Sequence, residues 1–434
     1  MRAPRARALV LAACAALATT DACAPAPLAP EGQLVVHVDT DAPLVTSANE
    51  RLDADTRAGL FDTLLADVLD GSGALACESC RRRFNVTQND RDADALTFGV
   101  RLPPGATGYR LRLRLFPHEA RVGDGPREDA AIDGLYELPA HAAEGRVDVS
   151  AVLRFDAVGV AADLSSAGEP ITLGRAPRVA PLVPTARPVC SDVPRPGEVC
   201  VPGGVYWASH AYLTLDAGEE WRAVVVQPFF LDAAEVTVGD LRASGLATTT
   251  DPQRKPGCTY RDTPGDTDVL PATCVSVALA RAYCRARSAD LPTLAQFEYV
   301  RGRLAHQTYV WGSDPPTCAD AVWGRVPSDG SAAPCASLGA GPQPAASGER
   351  DRLVLAGGTI TDLAANVGEL LADRPAKSCR GRGVYFDPVC GPPGGITLGS
   401  FAETLPETLT ASARRFGAEA PLPDVGFRCA RPGE

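Results

Sequence analysis

The chain has few histidines and no extended basic cluster. Its five histidines, His37, His118, His141, His210 and His306, are scattered and form neither an H-x-x-x-H nor an HExxH pair, which argues against a histidine metal centre. No extended Lys/Arg cluster offsets the formal charge of -11, and the pI is near 5.1. Such a chain repels phosphate, so neither nucleic acid nor an anionic membrane surface is expected as a partner. Past the first two dozen residues no segment is long and apolar enough for a membrane helix. There is no internal repeat.

What is present is enough apolar content, 45% of 434 residues, to bury two ordinary cores, and two domains are expected. The first residues read as an export signal. Arg2, Arg5 and Arg7 form a basic stretch, followed over 8–18 by small apolar residues too few to span a bilayer. Within it Leu11-Ala12-Ala13-Cys14 matches a bacterial lipobox, in which Cys14 becomes the lipidated first residue. The alternatives are ordinary cleavage near Ala22, or use of Cys23, whose preceding Thr20-Asp21-Ala22 is a poor lipobox. Residues 1–23 are thus assigned to a signal or lipoprotein segment. The protein is placed in the bacterial cell envelope or outside the cell, touching membrane only through a lipid anchor.

Cysteine usage fits that compartment. Setting Cys14 and Cys23 aside from a total of 14 leaves 12, an even number that favours disulfides over reduced thiols in an exported chain. Cys190 with Cys200, Cys318 with Cys335, and Cys379 with Cys390 would each close a short loop. Cys77-Glu78-Ser79-Cys80, followed by Arg81-Arg82-Arg83, has two readings. Neighbouring arginines could lower a thiol pKa for exchange chemistry. A small structural disulfide is the preferred reading, because no βαβ pattern surrounds the pair and one pair is too few for a four-cysteine zinc site.

A proline-rich passage over 176–198, with Pro177, Pro181, Pro184, Pro188, Pro194 and Pro196, lacks apolar periodicity and reads as a linker. Upstream, in 24–175, the segments 33–38, 96–102, 109–116 and 146–155 largely alternate apolar with polar residues, which predicts an all-β, antiparallel sandwich-like domain. The segment 60–69 fits either a strand or a short helix. Downstream, in 199–434, the pattern is α+β. Leu279, Ala282, Tyr283 and Ala286 predict a helix over 278–287, and Pro292-Thr293 opens a second over 294–303. The glycines and prolines of 317–395 predict long loops in place of regular elements.

Several motifs of the C-terminal half occur in a fixed order. They are Cys200-Val201-Pro202-Gly203-Gly204-Val205-Tyr206; Phe229-Phe230-Leu231-Asp232-Ala233-Ala234-Glu235-Val236-Thr237; the passage from Pro271 to Cys284 with Val275-Ser276 and Ala282-Tyr283-Cys284; and Asp290-Leu291-Pro292-Thr293-Leu294-Ala295-Gln296-Phe297-Glu298-Tyr299. Tyr309-Val310-Trp311-Gly312, Asp362-Leu363-Ala364-Ala365-Asn366-Val367-Gly368-Glu369-Leu370 and Gly426-Phe427-Arg428-Cys429 follow. Together they resemble the formylglycine-generating enzyme (sulfatase-modifying factor) family: VPGGxF, EVT, VSWxDAxAYC, RLPTEAEWEYA, YPWG, DMxGNVWEW and GFRC. The tryptophans of VSW and NVWEW are absent here. The resemblance implies a C-type-lectin-like fold of small sheets and two helices with much irregular chain. It also implies a disulfide from Cys284 to Cys429, which leaves Cys258 and Cys274 for each other. A second family disulfide is missing both of its cysteines.

The same resemblance implies a chemistry that this chain departs from. The family binds copper(I) through two cysteines spaced C-x-x-x-x-C after a GGS-aromatic run, and uses oxygen to convert a substrate cysteine to formylglycine; copper(I) prefers such soft thiolates. Here Gly399-Ser400-Phe401 matches the run, and ungapped continuation puts Glu403 and Thr408 at the cysteine positions. Ala411-Ser412-Ala413-Arg414 resembles the family's CAAR about two residues early, so a short deletion bears on the place of Thr408. No cysteine lies between Phe401 and Arg414 under any gapping. No copper is therefore expected. Asn366 and Val367 sit where the family helps hold calcium; an ordinary turn is the other reading of Asn366. The expectation is an exported envelope protein whose C-terminal domain is not an enzyme and binds a protein or peptide ligand, with Ser400 and Glu403 near the groove. The alternative is an active oxidoreductase of the formylglycine-generating type with a relocated or altered site, for which Cys379 and Cys390 would be the candidate pair.

Overall fold

The computed structural model describes residues 32–49, 59–103, 105–140, 145–209, 221–325, 333–374, 382–415 and 421–433. Cys14, Cys23 and Cys379 lie outside them. Among the described residues no helix is long and apolar enough to cross a membrane.

The N-terminal half is β-rich. Its strands are β1 (Gln33–Thr40), β2 (Thr63–Leu69), β3 (Arg81–Asn85), β4 (Thr97–Val100), β5 (Arg110–Phe116), a small hairpin of β6 (Arg121–Val122) and β7 (Gly125–Pro126), β8 (Ile132–Glu137), β9 (Arg146–Leu153), β10 (Glu169–Pro170) and β11 (Thr172–Leu173). They form one sheet in the order β11-β9-β1-β4 and another in the order β10-β8-β5-β2-β3. The expected antiparallel pairing needs correction, since β1 runs parallel to β9 and β10 parallel to β8. More than a hundred residues separate β1 from β9, so no hairpin dictates their direction, and long connections permit parallel pairing.

Alternation explains which residues fill the space between the sheets. In β5 the leucines Leu111, Leu113 and Leu115 are buried in the core that Val36, Leu64 and Val149 also enter. The intervening arginines point away, and Arg112 pairs with Asp133 at 2.6 Å. The ambiguous 60–69 segment is a strand, β2, because β3 and β5 hydrogen-bond to it on both sides. Its buried Asp67 accepts hydrogen bonds from Arg81 Nε at 2.7 Å and Arg114 at 2.5 Å.

Residues 176–197 contain no helix or strand. Beyond them come β12 (Glu198–Val201), β13 (Gly204–Ser209), β14 (Trp221–Val226), β15 (Phe229–Asp232), β16 (Arg352–Leu355), β17 (Gly358–Thr361), β18 (Gly368–Leu371), β19 (Val384–Phe386), β20 (Gly395–Thr397), β21 (Arg414–Arg415), β22 (Val425–Gly426) and β23 (Ala430–Pro432). The expected loops of 317–395 thus contain four short strands. In two of them, β16 and β17, Leu353 pairs with Ile360 across a tight connection. The two predicted helices are present at Val277–Ala286 and Leu294–Arg301, the second ending two residues early at Gly302; a third, at Val238–Ala243, is too short for a helical period to show in the sequence. Each starts on a hydroxyl N-cap, Thr237, Ser276 or Thr293, whose side chain accepts a backbone N–H of the first turn.

The antiparallel pair β13–β14 is apolar on both faces. Val205, Trp207, Ala223 and Val225 enter the core of the N-terminal sheets. Tyr206, Ala208, Val224 and Val226 enter a second core with Phe297, Tyr299 and Leu409. A third core gathers Leu279, Tyr283 and Phe427. Disulfides join Cys77 to Cys80, Cys190 to Cys200, Cys258 to Cys274, Cys284 to Cys429 and Cys318 to Cys335. Cys390 is disulfide-bonded as well. Such bonding fits an oxidising, non-cytoplasmic compartment.

Candidate functional site

The segment that carries Ser400, Glu403 and Thr408 leaves β20 through Gly399, whose φ of +98° suits glycine. A Cβ there would lie 1.9 Å from the Ala364 carbonyl oxygen, so the turn closes against 364–366 only without a side chain. Phe401 N donates to Asn366 O at 2.9 Å, and the buried Ser400 hydroxyl donates to Asp424 Oδ2 at 3.3 Å. Ser400 therefore faces Asp424 instead of forming the floor of an open groove.

Glu403 is half-buried, its backbone bridging Ser400 O and Gly324 N. Thr408 lies in a short 3-10 turn, Pro406–Leu409, and is 3% exposed. Its hydroxyl donates to Leu405 O at 2.6 Å, within its own turn. Glu403 and Thr408 are thus five residues apart on a segment without sulfur. A carboxylate and an internally bonded hydroxyl do not make the bis-thiolate set copper(I) requires. Cys390 is held in a disulfide, so its sulfur is not a thiolate ligand either.

Just beyond the turn, Thr410 to Ser412 wall a cavity of about 230 Å³, opposite Tyr206, Trp207, Glu298 and His306. Ala411 N donates to Thr308 O at 2.9 Å and pins this wall. His306 Nδ1 donates to Trp207 O at 2.6 Å, and its ring lies 4.6 Å from that of Trp221. Sequence reasoning misses His306, since an isolated histidine without a ligand-like neighbour carries no spacing signal.

Behind the segment, motif residues far apart in the chain meet in a buried charge cluster. Arg428 is wholly buried, its Nε 2.5 Å from Glu369 Oε1, and its other nitrogens donate to the carbonyls of Asp232, Thr361 and Asp362. Glu235 accepts from Asn366 Nδ2 at 2.9 Å and from Val367 N at 3.3 Å. Asp351 accepts the amides of Ala364 and Ala365. Burial raises the pKa of all four carboxyls here: Glu235 well above the usual range, Asp351 with help from neighbouring Asp362, Asp362 itself, and Glu369 to about 7. Burial lowers the pKa of Arg301, also in this cluster, to about 10.

Asn366 occupies the left-handed region at φ +72° and is completely buried. Its Oδ1 accepts Gln343 N at 2.9 Å while its Nδ2 donates to Glu235 and to Gln343 O. Calcium takes six to eight oxygen ligands. An amide oxygen already accepting an N–H, beside a backbone N–H of Val367 turned to Glu235, does not fit that set. Among the described residues no group of three or more metal-ligating side chains is arranged around a common point.

A family model described as a sulfatase-modifying factor enzyme 1-like domain matches residues 185–432. Among solved structures, PvdO from Pseudomonas aeruginosa is 20% identical, with 54% of this chain and 94% of that one covered at a TM-score of 0.40. Treponema denticola variable protein 1 is 14% identical, with 54% and 99% covered at 0.37. CarF is 20% identical, with 54% and 97% covered at 0.35. No curated protein matches the chain.

Proposed function

The chain belongs to the sulfatase-modifying factor enzyme 1-like family through residues 185–432, and we propose that in this member the domain recognises a protein or peptide ligand without oxidising it. The observation that carries this reading is the state of Thr408 and Glu403. One of the two positions that would supply copper ligands is a buried hydroxyl bonded to Leu405 O, the other a carboxylate, and no cysteine lies between Phe401 and Arg414. The adjoining cavity of about 230 Å³ between Thr410, Ser412 and Glu298 is a recess of mixed polar and apolar lining, room for a side chain of such a ligand. In the same reading the C-terminal part, 199–434, is a C-type-lectin-like unit joined through 176–198 to the sandwich of 24–175. The protein is exported after its 1–23 segment is processed and is anchored to the bacterial envelope by lipid on Cys14. The disulfides support an exported location.

The test is direct. A peptide bearing C-T-P-S-R, incubated with the protein, copper(I) and oxygen, is expected to keep its thiol mass, and copper(I) is expected not to bind stoichiometrically. Formylglycine above a control without protein would overturn the proposal and restore the oxidoreductase alternative.

A further inference from the structure

The second N-terminal sheet ends in a free edge that carries the three arginines following the Cys77–Cys80 bond. β3 is the last strand of that sheet and pairs only with β2. The disulfide closes a 3-10 turn, Glu78–Cys80, that leads straight into β3 and so fixes where the strand starts. Val86 N donates to Asp62 O at 2.9 Å, one position beyond the ladder. Hydrogen-bonded positions alternate along an antiparallel pair, so Arg82 and Phe84 turn their backbone groups to β2, and Arg81, Arg83 and Asn85 turn theirs outward. Among the described residues these outward groups have no hydrogen-bond partner.

The two faces of this edge differ in chemistry. On the outer face Arg81 and Arg114 share the carboxylate of Asp67, and Arg83 reaches only the Asp124 carbonyl oxygen, at 3.4 Å. On the other face Arg82 stands opposite Ala66 and Phe84 opposite Leu64, both core residues of β2. Phe84 is half-buried, and its ring stacks on that of Phe98 with centroids 5.1 Å apart. Phe98 belongs to β4, the end strand of the first sheet, so the stacked pair forms an apolar step between two free edges. Arg82 and Arg83 are exposed, and among the described residues neither forms an ion pair; the carboxylates of Glu78 and Asp124, in the flanking turns, leave both unpaired.

Arginine on an edge strand commonly guards a sheet against pairing with another chain. A guard has no use for a half-buried aromatic pair beside it, whereas an added strand would cover that pair.

We propose that β3 accepts an extended acidic peptide as a further strand. The peptide's backbone completes the ladder at Arg81, Arg83 and Asn85, an apolar side chain lies on Phe84 and Phe98, and two carboxylates meet Arg82 and Arg83. In antiparallel docking the residues opposite Asn85 to Arg81 are, in order, polar, apolar, acidic, acidic and polar. The sequence T-V-E-E-T has that pattern. This edge lies outside residues 185–432, so the proposal is independent of the ligand proposed for the family domain.

Calorimetric titration of the whole protein with blocked T-V-E-E-T and T-V-Q-Q-T peptides, with amide hydrogen exchange of the same mixtures, tests this. The acidic peptide is expected to bind saturably and at least tenfold more tightly than the glutamine peptide, which lacks charge-assisted bonds to arginine. Its affinity should fall as salt is added. Exchange across residues 81–85 should slow on binding. A double variant, Arg82→Gln with Arg83→Gln, should lose at least tenfold in affinity; both side chains are exposed, so the fold is kept. No saturable binding, equal affinity for the two peptides, unchanged affinity in the variant, or binding without slower exchange at 81–85 would overturn the proposal. Self-association of the double variant, with no peptide binding by the unaltered protein, would show the arginines to be guards alone.

Discussion

At the scale of single residues, the motifs that signal the family serve its frame more than its chemistry. Glu235, Asn366, Glu369 and Arg428 come from three separate motifs and meet in one buried cluster. Their motifs are readable in the sequence, but their convergence is not, because no local spacing relates position 235 to position 428. Glu369 gives this cluster a measurable signature. Its Oε1 accepts from Arg428 while Oε2 is buried and, among the described residues, has no partner, an arrangement that Gln fits as well as a protonated carboxyl does. Burial raises its pKa from 4.5 to about 7 in the folded chain. The native state therefore keeps a proton that the unfolded chain has released, and stability falls as pH rises from about 4.5 to about 7. Glu369→Gln should flatten this fall by on the order of 3 kcal/mol at most, since a tenfold change in proton affinity corresponds to about 1.4 kcal/mol. Melting curves of both proteins from pH 4.5 to 8 would read it. Parallel curves would mean that Glu369 is ionised throughout as the partner of Arg428.

At the scale of elements, helices are the most legible parts of the chain and short strands the least. The Val277–Ala286 and Leu294–Arg301 helices announce themselves through 3.6-residue spacing and hydroxyl caps. The strands β16 to β19 are three or four residues long and lie among glycines and prolines, too short for an alternation to stand out. The direction of β1 against β9 is likewise invisible, because pairing across so long a connection is decided by packing. The bond between Cys284 and Cys429 links the first of these helices to the chain just before β23, and both sulfurs are buried beside Tyr283 and Phe427. Replacing both cysteines by alanine should cost about 2–5 kcal/mol. Chemical denaturation of that variant under non-reducing conditions would show a lower midpoint; an unchanged midpoint would mean that the packing of the third core alone holds the helix.

At the scale of the whole molecule, the β13–β14 pair joins what composition divides. One of its faces belongs to the core of the N-terminal sheets and the other to the core of the family domain. Its doubly apolar pattern is plain in residues 204–208 and 221–226, yet nothing local says that the second face meets a different domain. Trp207 is fully buried in the first core, with its ring 5.8 Å from Phe61. Trp207→Ala should cost about 3–5 kcal/mol. Because the wall is shared, the loss should lower the transitions of both halves together. Near-ultraviolet dichroism and tryptophan fluorescence should follow one common unfolding curve, and two separated transitions would show that the halves are energetically independent.

The placement of β23 bears on the order of events during biosynthesis. β23 pairs with β15, two hundred residues earlier in the chain, and Cys429 must reach Cys284 from the same late stretch. In the exported chain proposed above, the N-terminal sheets can be complete while this stretch is still inside the translocation channel. Until residues 425–432 emerge, β15 has an unfilled edge, Cys284 is an unpaired thiol and the pocket for Phe427 is open. That interval exposes the half-built domain to mispairing and to aggregation, and a thiol-oxidising catalyst or a holding chaperone on the far side of the membrane would act within it.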